Sequence, residues 1–297
     1  MKITAGLGSI DDYPAYAKAG ADEVFIGYVP ETWQQKYGPG YPLNRREVCF
    51  CNVQAGSRSE LEILSGMTKE YGTSVSIAFN GLVFTGEQYP VIAGIMEDCL
   101  KLGFRSVIIA DIGLLLYLDR TGLSRELDIH VSGEFGEMNH FIVSQLGDLG
   151  VSRIIFHRKV SAGNMAAIIS EQKKEEPASG RKQPMAYEAF ILNENCHFNG
   201  AYCNTVHCDE MPPMCRMPYR FGGKDIRRER TEADESETFS YDYGLAGLPV
   251  LEKAGIGWLK IVGRGADPDF MTECIRKVRN QIETLPSENV RQEEDIR

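Results

Sequence analysis

The sequence predicts an α/β fold, a TIM-like (β/α)8 barrel with a cysteine-rich insertion after strand 7. Three observations predict it. Eight short β-branched runs recur along the chain, helix-like segments lie between them, and four of the eight cysteines fall within one irregular stretch, residues 193–244. Strands alternating with helical patterns mark βαβ units and a parallel sheet, and eight is the number at which such a sheet closes into a barrel.

The runs, in order, are Ile3 to Leu7, Glu23 to Tyr28, Ser74 to Asn80, Ser106 to Asp111, Leu127 to Ser132, Arg153 to Arg158, Met185 to Leu192 and Gly257 to Gly263. Several of them (VIIA, RIIF, LKIV) are apolar at consecutive positions, as strands covered on both faces require. Segments such as SELEILSGMTKEYG, PVIAGIMEDCLKLG and HFIVSQLGDLG carry helical periodicity and end near a glycine that can close the last turn. With 297 residues and 43% hydrophobic content the chain can bury one large core, so residues 1–285 are expected to form a single barrel domain. Residues 171–184, EQKKEEPASGRKQP, read as a charged loop before the seventh strand. The charged tail 286–297 reads as disordered.

The net charge of −10 gives no long-range attraction to polyanions, so any RNA contact needs a local basic patch. No apolar run reaches the length of a membrane span, and the N-terminal MKITAGLGSIDDYP lacks a signal-peptide pattern. A cytoplasmic location is expected, and in a reducing compartment clustered cysteines point to metal binding or catalysis rather than disulfides. Cys99 and Cys274 sit in apolar helical stretches and are expected to pack as small hydrophobes.

The insertion contains CHFNGAYCNTVHCDEMPPMCR, which places Cys196, Cys203, Cys208 and Cys215 in the pattern C-x6-C-x4-C-x6-C. Structural zinc sites usually pair ligands through two to four residues. The wider spacing favours the separated corners of a 4Fe-4S cluster. Zinc, with His197 or His207 as a further ligand, is the alternative, and redox-active thiols a third. Cys49 and Cys51 follow the second strand on the same face, so replacement of one cluster ligand by either stays open. Downstream, CRMPYRFGGKDIRRER is either a solvated loop balanced by EADESE or an anion or RNA-backbone patch.

In parallel barrels the chemistry lies at the carboxyl ends of the strands. Those ends carry Asn80, Asp111, His130, Ser132, Glu134, His157, Arg158 and Arg264. Glu188 lies inside the apolar strand MAYEAFIL, where a carboxylate needs a partner; Arg158 or Lys260 would serve.

The chain resembles the collagenase-like peptidase family, class U thirty-two, over nearly its whole length. The motifs are AGADEVFIG, SIAFN, VIIADIG, IHVS, RIIFHRKVS, E-A-F at Glu188 to Phe190, Cys196 and Cys203, C-R at 215 and 216, and AGIGWLKIVGR. The resemblance implies a barrel with a 4Fe-4S cluster on four cysteines and, from its better-understood members, oxygen-independent hydroxylation of RNA bases or the ubiquinone ring with prephenate as oxygen donor. On that likeness Cys196, Cys203 and one or both of Cys208 and Cys215 are ligands, while Glu188 and Arg264 match recurrent motif residues. Tyr243 stands where many members carry a ligand cysteine, which suggests that Cys208 and Cys215 both ligate here. Val262 stands where the family usually has Glu.

The leading expectation is therefore an iron-sulfur enzyme of oxygen-independent hydroxylation or oxygen transfer. Its small anionic, prephenate-like donor would contact Asn80, His130, Arg158, Glu188 and Arg264, with RNA or a quinone as the other substrate. The alternatives are a peptidase, for which neither H-E-x-x-H nor G-x-S-x-G is present, and a non-catalytic iron-sulfur subunit within a homo- or hetero-oligomer.

Overall fold

The computed structural model describes residues 1–38, 41–45, 53–136, 138–175, 184–192, 220–221, 224–225 and 244–285. Each of the eight runs becomes a barrel strand, and a ninth, shorter strand joins them. In chain order the strands are β1 (Lys2–Gly6), β2 (Glu23–Tyr28), β3 (Gln54–Ala55), β4 (Ser74–Phe79), β5 (Ser106–Ile109), β6 (Asp128–Val131), β7 (Val151–Ile155), β8 (Ala186–Phe190), β9 (Arg220–Phe221), β10 (Lys224–Asp225) and β11 (Trp258–Ile261). The order β1-β11-β8-β7-β6-β5-β4-β2 is parallel throughout, and β1 pairs with both β11 and β2, which closes the barrel.

The helices lie outside: α1 (Tyr13–Ala19), α2 (Glu31–Tyr37), α3 (Arg58–Tyr71), α4 (Tyr89–Lys101), α5 (Ile112–Thr121), α6 (His140–Asp148), α7 (Ala162–Glu175), α8 (Leu248–Lys253) and α9 (Pro268–Glu283). Their ends follow from local chemistry. Ser57 and Glu60 form a reciprocal capping box at the start of α3, and Gly72, at φ 80°, stops it. Asp111 caps α5 through Gly113 and Leu114, and Asp267 caps α9 just ahead of Pro268.

Side chains alternate along the strands. Ile3, Val24, Ile26, Val75, Ile77 and Leu259 join the apolar layer between sheet and helices, where Trp33 is fully buried. The intervening positions face the lumen, where Phe25, Ile108, Ile155 and Phe190 form a second apolar cluster with Val262 against it. Cys99 and Cys274 are both buried, as expected of small hydrophobes, and burial pushes the Cys99 thiol up to about 12.

Three details differ from the sequence reading. β3 was missed because two residues beside β2 leave no periodic signal. β7 starts at Val151, and its register with β6 slips between Ile129 and His130, so Ser152 is skipped and Arg153 falls opposite His130. Residues 171–175, read as loop, are the last turn and a half of α7. Gln172 is fully buried there and donates to the His140 carbonyl at 2.9 Å, which holds a charged segment helical. The tail 286–297 and most of the insertion, Cys196, Cys203, Cys208 and Cys215 included, lie outside the described residues, as do Cys49 and Cys51. No helix among the described residues is long and apolar enough to cross a membrane.

Candidate functional site

The lumen is built in layers, and the deepest charged one is closed. Arg153 Nη1 donates to Glu23 Oε1 at 2.8 Å and to Glu188 Oε2 at 3.0 Å, while its Nη2 reaches Glu23 Oε2 at 3.2 Å. Lys260 Nζ donates to Glu188 Oε1 at 3.1 Å. Two carboxylates thus face two cations, and the layer is neutral. The Arg153 guanidinium lies 3.6 Å from the Trp258 ring centroid, and the Lys260 ammonium 3.7 Å from that of Phe25. Burial opposes the charge on Glu188, but Lys260 and Arg153 outweigh it and hold the carboxyl below its usual range. Burial pulls the Lys260 ammonium down, and the Glu188 carboxylate offsets only part of that.

His130, inside, and half-exposed Asp128 sit on the neighbouring strand, β6. His130 is 1% exposed, and its Nε2 lies 3.3 Å from Asp128 Oδ2. Asp128 also accepts from Ser106 at 3.1 Å and from Ser152. Burial would raise the Asp128 carboxyl, but the bond to His130, its charge and the two hydroxyls hold it far below the usual range.

One inward step toward the carboxyl ends of the strands stand Phe25, Ile155, Phe190 and Val262, two residues beyond Glu23, Arg153, Glu188 and Lys260 respectively. This apolar layer separates the ionic layer from the mouth. Glu188 therefore lies beneath it, fully buried, with both oxygens engaged.

The mouth itself is cationic. Arg264, just past β11, is 4% exposed, and its Nη1 donates to Asn44 Oδ1 at 3.0 Å. Asn44 in turn donates from Nδ2 to Gln54 Oε1 at 3.0 Å. The backbone leaves room for this. A Cβ on Gly27 would stand 2.6 Å from Asn44 Nδ2, and one on Gly6 would stand 3.1 Å from the Arg264 nitrogen.

Asn80, at the end of β4, accepts the backbone N–H of Arg45 at 3.1 Å and so fixes where that residue leaves the loop. Across the mouth, the turn after β6 presents Glu134, its N–H held by the Ser132 hydroxyl at 3.1 Å. Glu134 lies 3.7 Å from Arg45 Nη2 and 3.5 Å from Arg158 Nη1. The Arg158 guanidinium also stands 4.2 Å from the centroid of Phe190, the last residue of β8, three residues before the cysteine-bearing segment begins. His157 is buried, with Nδ1 accepting from the Lys159 N–H at 3.2 Å.

Of the residues expected to touch a ligand, Asn80, Arg158 and Arg264 stand at the mouth. His130 and Glu188 belong to the deeper interior. Lys260 does pair with Glu188, as the sequence suggested, but the second partner is Arg153, and Arg158 is engaged by Glu134 instead. Sequence reading missed Arg45 and Asn44, which lie on a loop without periodicity, and Gln54, on the two-residue strand β3. It missed Glu23 and Arg153 as well, although charged residues at alternate positions of otherwise apolar strands were the available signal. Among the described residues no group of three or more His, Cys, Asp or Glu could hold a metal ion.

A closed parallel barrel with charged side chains at its carboxyl-end mouth defines a (β/α)8 protein whose site is made by strand ends and loops. The family model described as Peptidase family U32 matches residues 8–297, and the chain belongs to that family. It is 20% identical over 297 residues to a collagenase of Porphyromonas gingivalis, covering 95% of this chain and 66% of that protein. A solved U32 peptidase structure aligns over 64% of this chain and 68% of its own, at 14% identity and a TM-score of 0.44. A designed, cube-shaped protein cage built by fusing symmetric oligomeric domains matches 99% of this chain and 77% of its own, with a TM-score of 0.51 at 9% identity; that likeness concerns the fold alone.

Proposed function

We propose that this U32 family member is an iron-sulfur enzyme carrying out oxygen-independent hydroxylation or a related oxygen transfer. A 4Fe-4S cluster would be held by Cys196, Cys203, Cys208 and Cys215, and a small anionic donor would bind at the barrel mouth. The single observation that carries the reading is the cationic mouth: Arg45 and Arg158 share the carboxylate of Glu134, Arg264 is held by neutral Asn44, and among the described residues two guanidinium nitrogens of Arg45 are buried without a hydrogen-bond partner. Buried donors without acceptors are costly unless a ligand satisfies them. Four thiolates at these spacings suit an iron-sulfur cluster by donor chemistry.

The cluster, when bound, would supply electron transfer. The chain's own residues do the rest. Arg264, fixed by Asn44, and Arg158, braced on Phe190, orient the anion. The apolar layer of Phe25, Ile155 and Phe190 keeps water from the ionic layer beneath, and RNA or a quinone would approach from the open side.

The name of the collagenase relative favours a peptidase as the second reading. A serine peptidase needs the imidazole between hydroxyl and carboxylate. In the Ser152, Asp128 and His130 contact the carboxylate lies in the middle instead, and His130 is buried. The deciding experiment is anaerobic incubation of the iron-loaded chain with prephenate and either bulk RNA or a quinone analogue, read by mass spectrometry, beside a gelatin-degradation assay. A gain of one oxygen on RNA or quinone supports the hydroxylase. Gelatin cleavage without oxygen transfer returns the peptidase.

A further inference from the structure

Arg45 belongs to none of the sequence motifs, yet its surroundings are those of a binding residue. Its backbone is pinned by Asn80, its neighbour Asn44 holds Arg264, and its side chain is 12% exposed. A guanidinium carries five N–H donors. In Arg45 both Nε and Nη2 are buried with no hydrogen-bond partner among the described residues; Glu134 stops 3.7 Å from Nη2, beyond the 2.7–2.9 Å of charge-assisted bonds. Arg158 shares the same carboxylate at 3.5 Å, also without a hydrogen bond. Among the described residues here two cations share one anion, which leaves an excess of one positive charge.

We propose that Arg45 and Arg158 form a fork for a ligand carboxylate, and that Glu134 is the resident counter-ion that keeps the two guanidiniums apart until the ligand binds. This deepens the reading of the mouth as a small-anion site and rests on it. The planar donors of two arginines suit a carboxylate's two oxygens, and Arg264, held by Asn44, would read a second acidic group. The fork makes Arg45 a specificity residue. Glu134 competes with the ligand for the same donors, so the two residues affect binding with opposite sign.

The test is calorimetric titration of the full, anaerobically purified chain with malonate and with inorganic phosphate, on wild type and the variants R45Q, R45K, E134Q and R264Q. Melting temperatures are recorded for each. Wild type is expected to bind malonate more tightly than phosphate. R45Q should weaken malonate by about tenfold or more, the scale of one lost charge-assisted pair, and R45K should recover part of that, since charge returns without the planar fork. E134Q should tighten malonate severalfold, because the site's excess charge rises. A purely structural Glu134 would not produce that gain. Malonate binding that R264Q abolishes but R45Q leaves unchanged overturns the fork alone. Absence of any carboxylate binding to folded wild type overturns the small-anion reading and the fork with it.

Discussion

Asn44 and Arg264 are 220 residues apart in sequence and joined by a 3.0 Å hydrogen bond at the barrel mouth. The bond links the loop after α2 to the corner after the last strand, so one side of the candidate site is fixed by parts of the chain that meet only when the barrel closes. Gly27 lies beneath this pair, and its missing side chain is the space Asn44 fills.

A Gly27→Ala substitution is therefore expected to displace Asn44 and cost about 1–3 kcal/mol by overpacking, measured by urea denaturation. Adding Asn44→Ala should return much of that loss, a coupling that independent sites would not show. Additive costs would mean that the 2.6 Å approach at Gly27 is not what excludes a side chain there.

The ionic layer sets a second expectation. Glu188→Gln leaves Lys260 without its carboxylate and Arg153 with only Glu23, and breaking a buried pair from one side costs about 3–5 kcal/mol. Replacing both members, Glu188→Leu with Lys260→Met, should cost less than the single change, because no unpaired charge is left inside. A loss below about 1 kcal/mol for Glu188→Gln would show that the layer is solvated.

Acid should destabilise the fold through buried Glu188 and half-buried Asp128. Asp128 and Glu188 are both held below their ordinary values against burial, Asp128 by His130 and two hydroxyls, Glu188 by Lys260 and Arg153. At these groups the unfolded chain takes up protons at higher pH than the folded one. Their stabilisation is therefore fully present above the unfolded pKa of about 4 and is lost as pH falls below it. Melting temperature should hold between about pH 5 and 7 and decline below about pH 4. In Asp128→Asn the acid decline should be shallower from a lower starting point.

The sequence made the barrel legible because each strand is covered on both faces and so appears as a continuous apolar run, RIIF and LKIV being the clearest. The last turn of α7 was not legible. Its charged residues suggest a loop, and it stays helical only through the buried contact of Gln172 with His140. Arg158 and Arg264 were visible as cations at strand ends. Arg45 was not, since its role depends on where Asn80 and Glu134 place it. Arg153 was hidden by the slip at Ser152, which turns it toward Glu23 and Glu188.

The most direct test of the proposed iron-sulfur function is metal and sulfide analysis with ultraviolet-visible absorption of anaerobically purified protein, on wild type and the Cys208→Ala and Cys215→Ala variants. The account predicts a broad band near 400 nm and about four iron and four sulfide per chain, both lost in each variant while the barrel stays folded. Stoichiometric zinc, or no metal in a folded wild-type chain, would contradict it.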